Sequence, residues 1–147
     1  MKDFIINVEG AVYRGNRWLL IRRSTKEEHA GGELALVGGT VDQEGFTSDL
    51  LERTLQREMF EEVGIEISES MTYIRNTSFV TASGDHVVDI VFLCEIKHGE
   101  PYAKSEDEVD EVLWITTDEI LQSEETADYL KESIIAADRM RKEVGVS

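Results

Sequence analysis

Nine residues, Arg57-Glu58-Met59-Phe60-Glu61-Glu62-Val63-Gly64-Ile65, constrain this chain more than any others. A helix turns about 100° per residue, so Glu58, Glu61 and Glu62 share one narrow face, with Leu55, Met59 and Val63 beside them as an apolar stripe. Gly64 stops such a helix, because glycine accepts the left-handed conformation at its end. Like charges at i,i+4 cost a helix ~0.2–0.5 kcal/mol per pair. Arg57 reaches Glu61 at that spacing, but Glu58 and Glu62 have no cationic partner there. Two readings follow. One is a solvated acidic face, the usual meaning of clustered glutamates in an acidic chain. The other is a set of hard oxygen ligands for a divalent cation such as Mg²⁺ or Mn²⁺. Gly38-Gly39, just ahead of the helix, shifts the balance toward the second, since two glycines let backbone approach a ligand closely.

Together these residues resemble the box of the Nudix (MutT-like) hydrolase family, written G-x5-E-x7-R-E-(apolar)-x-E-E-x-G-(apolar). Arg57, Glu58, Met59, Glu61, Glu62, Gly64 and Ile65 fill every defined position of its second half. The first half departs. Gly39 stands four residues further from Arg57 than the pattern places it, and an added helical turn would absorb most of them. The acid that normally supports the arginine is then Asp49, Glu44 or Glu52. Leu34 and Val37 stand where the family usually has Trp and Pro.

The resemblance implies an α/β (α+β) fold, a Nudix-type α/β/α sandwich with a mixed β-sheet between helices. It implies Mg²⁺-dependent hydrolysis of a pyrophosphate bond in a nucleoside diphosphate linked to another group, X. Glu58, Glu61 and Glu62 would hold the metal with help from the Gly38 carbonyl. Arg57 would orient the glutamates, and Glu58 or Glu108 would be the base. In related proteins a basic pair placed like Arg22-Arg23 often faces the nucleotide; alternation sends one of the two toward the sheet face and the other away. Two other functions stand beside this one. A nucleotide-sensing module on the same fold would bind without turnover. An isoprenoid diphosphate isomerase would need a reactive cysteine. X and the base remain open, and homodimers are common among relatives.

The remaining features set bounds. The 147 residues suit a single domain over 1–147. A net charge of −16 repels nucleic-acid phosphates, and admits a phosphorylated small molecule only where metal ions or arginines screen it. Cys94, the one cysteine, lies in the apolar run Ile90–Cys94 and reads as buried. The N-terminus is too short and polar for a signal peptide and no apolar run nears membrane-spanning length, which points to a cytoplasmic protein.

Along the chain, Phe4–Tyr13 reads as a strand broken at Glu9-Gly10, followed by a turn over Arg14–Arg17 and a second strand over Trp18–Ile21. Loop residue His29 reads as solvated rather than substrate-facing. Leu34–Val37 is a short strand running into the glycine pair. The helix spans about 48–63, with Thr47, Ser48 or Asp49 as cap and Asp49-x-x-Glu52 as a capping box. Strands follow at 65–67, 71–80 and 86–97, and alternation turns Asp89 outward. The acidic run Glu106–Glu111 includes Glu108, six positions before Trp114, where some relatives place a further ligand or base. A last strand near 109–115, a short helix from Thr117 and a helix over 129–144 complete the reading.

Overall fold

The apolar run after Phe4 forms β1 (Ile5–Arg14), the strand to which the sheet is tied. The computed structural model describes residues 2–27 and 30–144. β1 continues unbroken through Glu9-Gly10, because its ladder with β7 (His86–Cys94) runs parallel from Ile5 to Val12 without interruption. Its other edge changes partner. Asn7–Gly10 pairs with β4 (Val37–Thr40), whereas Tyr13-Arg14 pairs with β2 (Arg17–Arg23) across the turn at Gly15-Asn16. A sheet that forks in this way leaves an opening between the two partners.

The sheet runs β3 (Leu34–Ala35), β2, β1, β7, β6 (Thr72–Val80), with β4 added on β1 and β9 (Val109–Thr116) on β2. β7 is parallel to β1 and antiparallel to β6, so the sheet is mixed. β5 (Glu66–Ile67) and β8 (Ile96–His98) make a separate ribbon, because the predicted strand 86–97 breaks at Glu95. α1 (Leu50–Val63) packs Leu55, Met59 and Val63 against Val8, Val12 and Leu19 on one face. α3 (Asp128–Val144) packs Leu130, Ile134 and Ala137 against Ala11, Trp18 and Leu20 on the other. Alternation along β1 and β2 supplies both cores, which gives the expected sandwich of helices about a mixed sheet. α2 (Thr117–Gln122) begins with a capping box between Thr116 and Glu119. Among the described residues, no helix is long and apolar enough to cross a membrane. His29 lies outside the described residues.

The start of α1 differs from expectation. The helix begins at Leu50, not 48, and the four extra residues form loop rather than a helical turn. Asp49 takes a left-handed conformation (φ 56°) and makes no side-chain cap, so there is no capping box. Arg53 closes the loop instead. Its guanidinium donates to the Ser48 carbonyl (3.1 Å), the Thr47 hydroxyl (2.6 Å) and the Glu44 carboxylate (2.7 Å).

Gly64 ends α1 at φ 71°, with its N–H on the Phe60 carbonyl at 3.1 Å. A Cβ there would run into the Tyr102 ring. Gly64→Ala therefore combines a left-handed alanine with a steric overlap and should destabilise by about 2 kcal/mol. Urea unfolding checks this: the midpoint should fall with an unchanged slope, and an unchanged midpoint would refute it.

Candidate active site

The last carbonyls of a helix have no partner within it. In α1 those of Glu62 and Val63 are taken by the loop between β8 and β9: Lys104 and Ser105 donate to Glu62 (3.1 and 3.2 Å), and Tyr102 donates to Val63 (3.1 Å). The Ser105 carbonyl then accepts from Glu108 and Val109 (3.1 and 2.8 Å), and Ser24 on the far side donates to the Glu108 carbonyl (2.9 Å). One helix end thus sets both Glu62 and the loop that carries Glu108. As a result, carboxylate oxygens of Glu58, Glu62 and Glu108 all lie within 4.8 Å of one another.

Glu62 is 5 % exposed, and its Oε2 is buried without a hydrogen-bond partner. Burial, followed by the charges of Glu108 and Glu58, pushes its pKa up to about 9. Glu58 is raised too, by burial and by the charge of Glu61, against the pull of Arg57. Gly39 lies flat against Glu58, where a Cβ would stand 2.5 Å from the carboxyl carbon, and a Cβ on Gly38 would overlap the Val8 carbonyl oxygen. Three convergent hard oxygens, one of them an orphan, suit a divalent cation such as Mg²⁺ or Mn²⁺. Without a cation, the repulsion among these residues is relieved by a proton held on Glu62.

The structure distributes the other expected residues unevenly. Glu61 is exposed and outside this trio; its carboxylate stands 3.9 Å from Arg57, at i,i+4. Arg57 also lies 3.5 Å from Glu58, 3.8 Å from Asp42 and 4.0 Å from Glu44. Of the three acids weighed as its support, Glu44 is the one beside it, held from the other side by Arg53. Asp42 was not foreseen, and no spacing rule would have found an acid in an irregular loop.

A cleft of about 940 Å³ opens where the sheet forks. Gly38, Gly39, Glu58, Glu62 and Glu108 line it, and Arg23 does so while Arg22 does not. Arg22 is spent on the Gly32 carbonyl (3.1 Å) and Glu125 (3.3 Å), so alternation separates the pair as expected.

Asp89 corrects the reading of β7. It points into the cleft, 9 % exposed, not out to solvent, because α3 packs over that face of β7 against Val91 and Leu93. The half-buried Glu9 lines the same cleft, and sequence reasoning missed it because it sat at an assumed strand break. Burial and then Asp89 hold Glu9 well above the carboxylic range, and burial raises Asp89. Cys94 is buried, its thiol pushed up to about 12 by desolvation, and does not line the cleft.

A family model described as the NUDIX domain matches residues 4–136. Among solved structures, a MutT NUDIX hydrolase from Burkholderia pseudomallei is 26 % identical, with a TM-score of 0.77 over 92 % of this chain and 98 % of that one. The MutT protein from Methanosarcina mazei Go1 is 24 % identical, with a TM-score of 0.77 over 96 % and 97 %. The NUDIX domain of Shewanella oneidensis NrtR, complexed with ADP ribose, is 19 % identical, with a TM-score of 0.71 over 98 % and 90 %. No curated protein matches the chain.

Between the ordinary carboxyl value of 4.5 and about 9, the folded protein holds a proton on Glu62 that the unfolded chain has released. More protons bound in the folded state means stability that falls as pH rises through this window. In metal-free buffer the unfolding free energy should therefore decline from pH 5 to 9, by at most about 1.4 kcal/mol per pH unit from this group. Glu62→Gln should flatten the decline. Identical pH profiles for the two proteins would contradict the assignment.

Proposed function

The chain belongs to the NUDIX domain family, hydrolases of pyrophosphate bonds, and on that premise we propose that it hydrolyses a nucleoside diphosphate linked to another group, X, with a divalent cation, Mg²⁺ or Mn²⁺. The observation that carries this reading is the convergence of Glu58, Glu62 and Glu108 around an unpartnered, buried oxygen. These three would hold the cation, with the Gly38 backbone beside them and Glu61 further out. The cation supplies charge neutralisation at the phosphate oxygens and a lower pKa for the attacking water.

The chain's own groups do the rest. Arg57, fixed between Asp42 and Glu44, keeps Glu58 turned toward the site through their 3.5 Å ion pair. Arg23 brings positive charge to a cleft that the net charge of −16 would otherwise close to anions. Phosphoryl transfer asks mainly for positioning and electrostatic support, which a rigid helix end provides. Glu58 or Glu108 accepts the proton of the attacking water on a carboxylate oxygen. The water oxygen bonds to one phosphorus as the bridging P–O bond breaks. The products are a nucleoside monophosphate and phosphorylated X, or pyrophosphate when the substrate is a triphosphate. The isomerase alternative lacks its reactive cysteine, because Cys94 is buried and does not line the cleft.

A panel of nucleoside diphosphate derivatives with Mg²⁺ tests the proposal. Turnover should appear with at least one of them and fall by about a hundredfold or more in Glu62→Gln. Ligand bound tightly but never cleaved would support the sensing module instead. Full turnover in the variant would remove Glu62 from the metal role.

A further inference from the structure

The loop ahead of α1 and the carboxylate face of that helix are joined through one side chain that does not line the cleft. Arg53 and Arg57 stand at i,i+4, a spacing at which like charges oppose a helix. Glu44 lies between them. Its Oε1 accepts from Arg53 Nη2 at 2.7 Å, and its Oε2 stands 4.0 Å from Arg57 Nη1, so both carboxylate oxygens face a cation. Arg53 grips the rest of the loop as well, through the Thr47 hydroxyl and the Ser48 carbonyl. The loop is four residues longer than the Nudix box allows, and Arg53 is what folds it back onto the helix.

This entry to α1 is not the one that stability alone would select. Asp49 sits at φ 56° with no side-chain cap, where an ordinary cap would satisfy an orphan N–H without a left-handed residue. What the arrangement does secure is Glu44. Of the acids beside Arg57 other than Glu58, Glu44 is the least exposed, at 31 % against 75 % for Asp42 and 57 % for Glu61. Exposed ion pairs fix a side chain poorly, so Glu44 is the firm partner. Arg57 in turn stands 3.5 Å from Glu58, whose carboxylate converges with Glu62 and Glu108. The contacts thus run from Arg53 through Glu44 and Arg57 to Glu58.

We propose that Arg53 is a positioning residue for the candidate active site: by fixing Glu44 against Arg57, it holds the Glu58 carboxylate toward Glu62 and Glu108. This rests on the reading of those three as the cation site. The sign of its effect separates positioning from plain electrostatics. Removing a positive charge from beside an acidic site strengthens that site's hold on a cation. Removing an outer support of the ligands weakens it.

Mn²⁺ titration by calorimetry compares the wild-type protein with Arg53→Ala, Arg53→Lys and Glu44→Gln. Lysine keeps the charge but lacks the planar fork that reaches three acceptors. Both Arg53 variants should bind Mn²⁺ about threefold more weakly or worse, toward the low end of what outer partners of metal ligands contribute. Adding Arg53→Ala to Glu44→Gln should cost less than about twofold more, since the two act in one chain of contacts. Melting transitions establish which variants fold, and Arg53→Lys and Glu44→Gln decide if Arg53→Ala does not. NMR of the arginine Nε–H groups in metal-free protein gives a second readout. The Arg57 signal should shift or broaden in each Arg53 variant. Unchanged or tighter Mn²⁺ binding by the folded Arg53 variants, or an unmoved Arg57 signal, overturns the proposal and leaves the cation site standing. A wild-type protein that binds no Mn²⁺, with an Arg57 signal that moves in the variants, would overturn the cation reading and leave the hold of Arg53 on Arg57 intact.

Discussion

Two backbone N–H groups on one carbonyl decide where this molecule concentrates its charge. Lys104 and Ser105 both donate to Glu62 at the end of α1, and that junction sets Glu108 against Glu62 and Glu58. Magnitudes show why this arrangement calls for a cation. Two unit charges about 5 Å apart repel by ~3 kcal/mol at an effective dielectric of 20. Each backbone hydrogen bond returns only ~1 kcal/mol net. Three ionised carboxylates at such separations therefore oppose the fold more strongly than the junction alone supports it. A proton on Glu62 or a metal ion among the three removes the conflict. The high pKa of Glu62 and the cation binding proposed for it would thus be two expressions of one strain.

The same helix also keeps the site in register with the core. Leu55, Met59 and Val63 are fully buried on its apolar stripe, and the 3.6-residue period then leaves Glu58 and Glu62 no direction but toward the cleft. Gly39, flat against Glu58, lets β4 come close enough to form the cleft's wall. The fork in the sheet at β1 supplies the space. Acidic side chains, Glu58, Glu62 and Glu108 together with Glu9 and Asp89, line that space.

Much of this was legible in the sequence where the signal is local. The helix through Glu62, its stop at Gly64, the hairpin at Gly15-Asn16 and the core positions of Leu55 and Met59 follow from periodicity and turn chemistry. What escaped depends on contacts between distant segments. Glu108 was picked from a run of five acids only by its resemblance-based place six positions before Trp114, and the hydrogen bonds that bring its loop to the end of α1 could not be read from the sequence. Asp89 was turned the wrong way because alternation gives two faces to a strand without saying which is covered. Glu9 was hidden by the glycine beside it, which suggested a break in a strand that β7 keeps continuous. The loop ahead of α1 defied its capping signals because Arg53, inside the helix, grips Glu44, Thr47 and Ser48 more effectively than Asp49 could cap.

The proposed chemistry of the cleft turns on where a divalent cation binds. Anomalous diffraction from crystals grown with Mn²⁺ addresses that directly. The account predicts a single dominant peak bounded by the carboxylates of Glu58, Glu62 and Glu108, absent in Glu62→Gln. No peak among those three side chains, or one held by Glu61 on the exposed face while Glu62 stays bare, would contradict it.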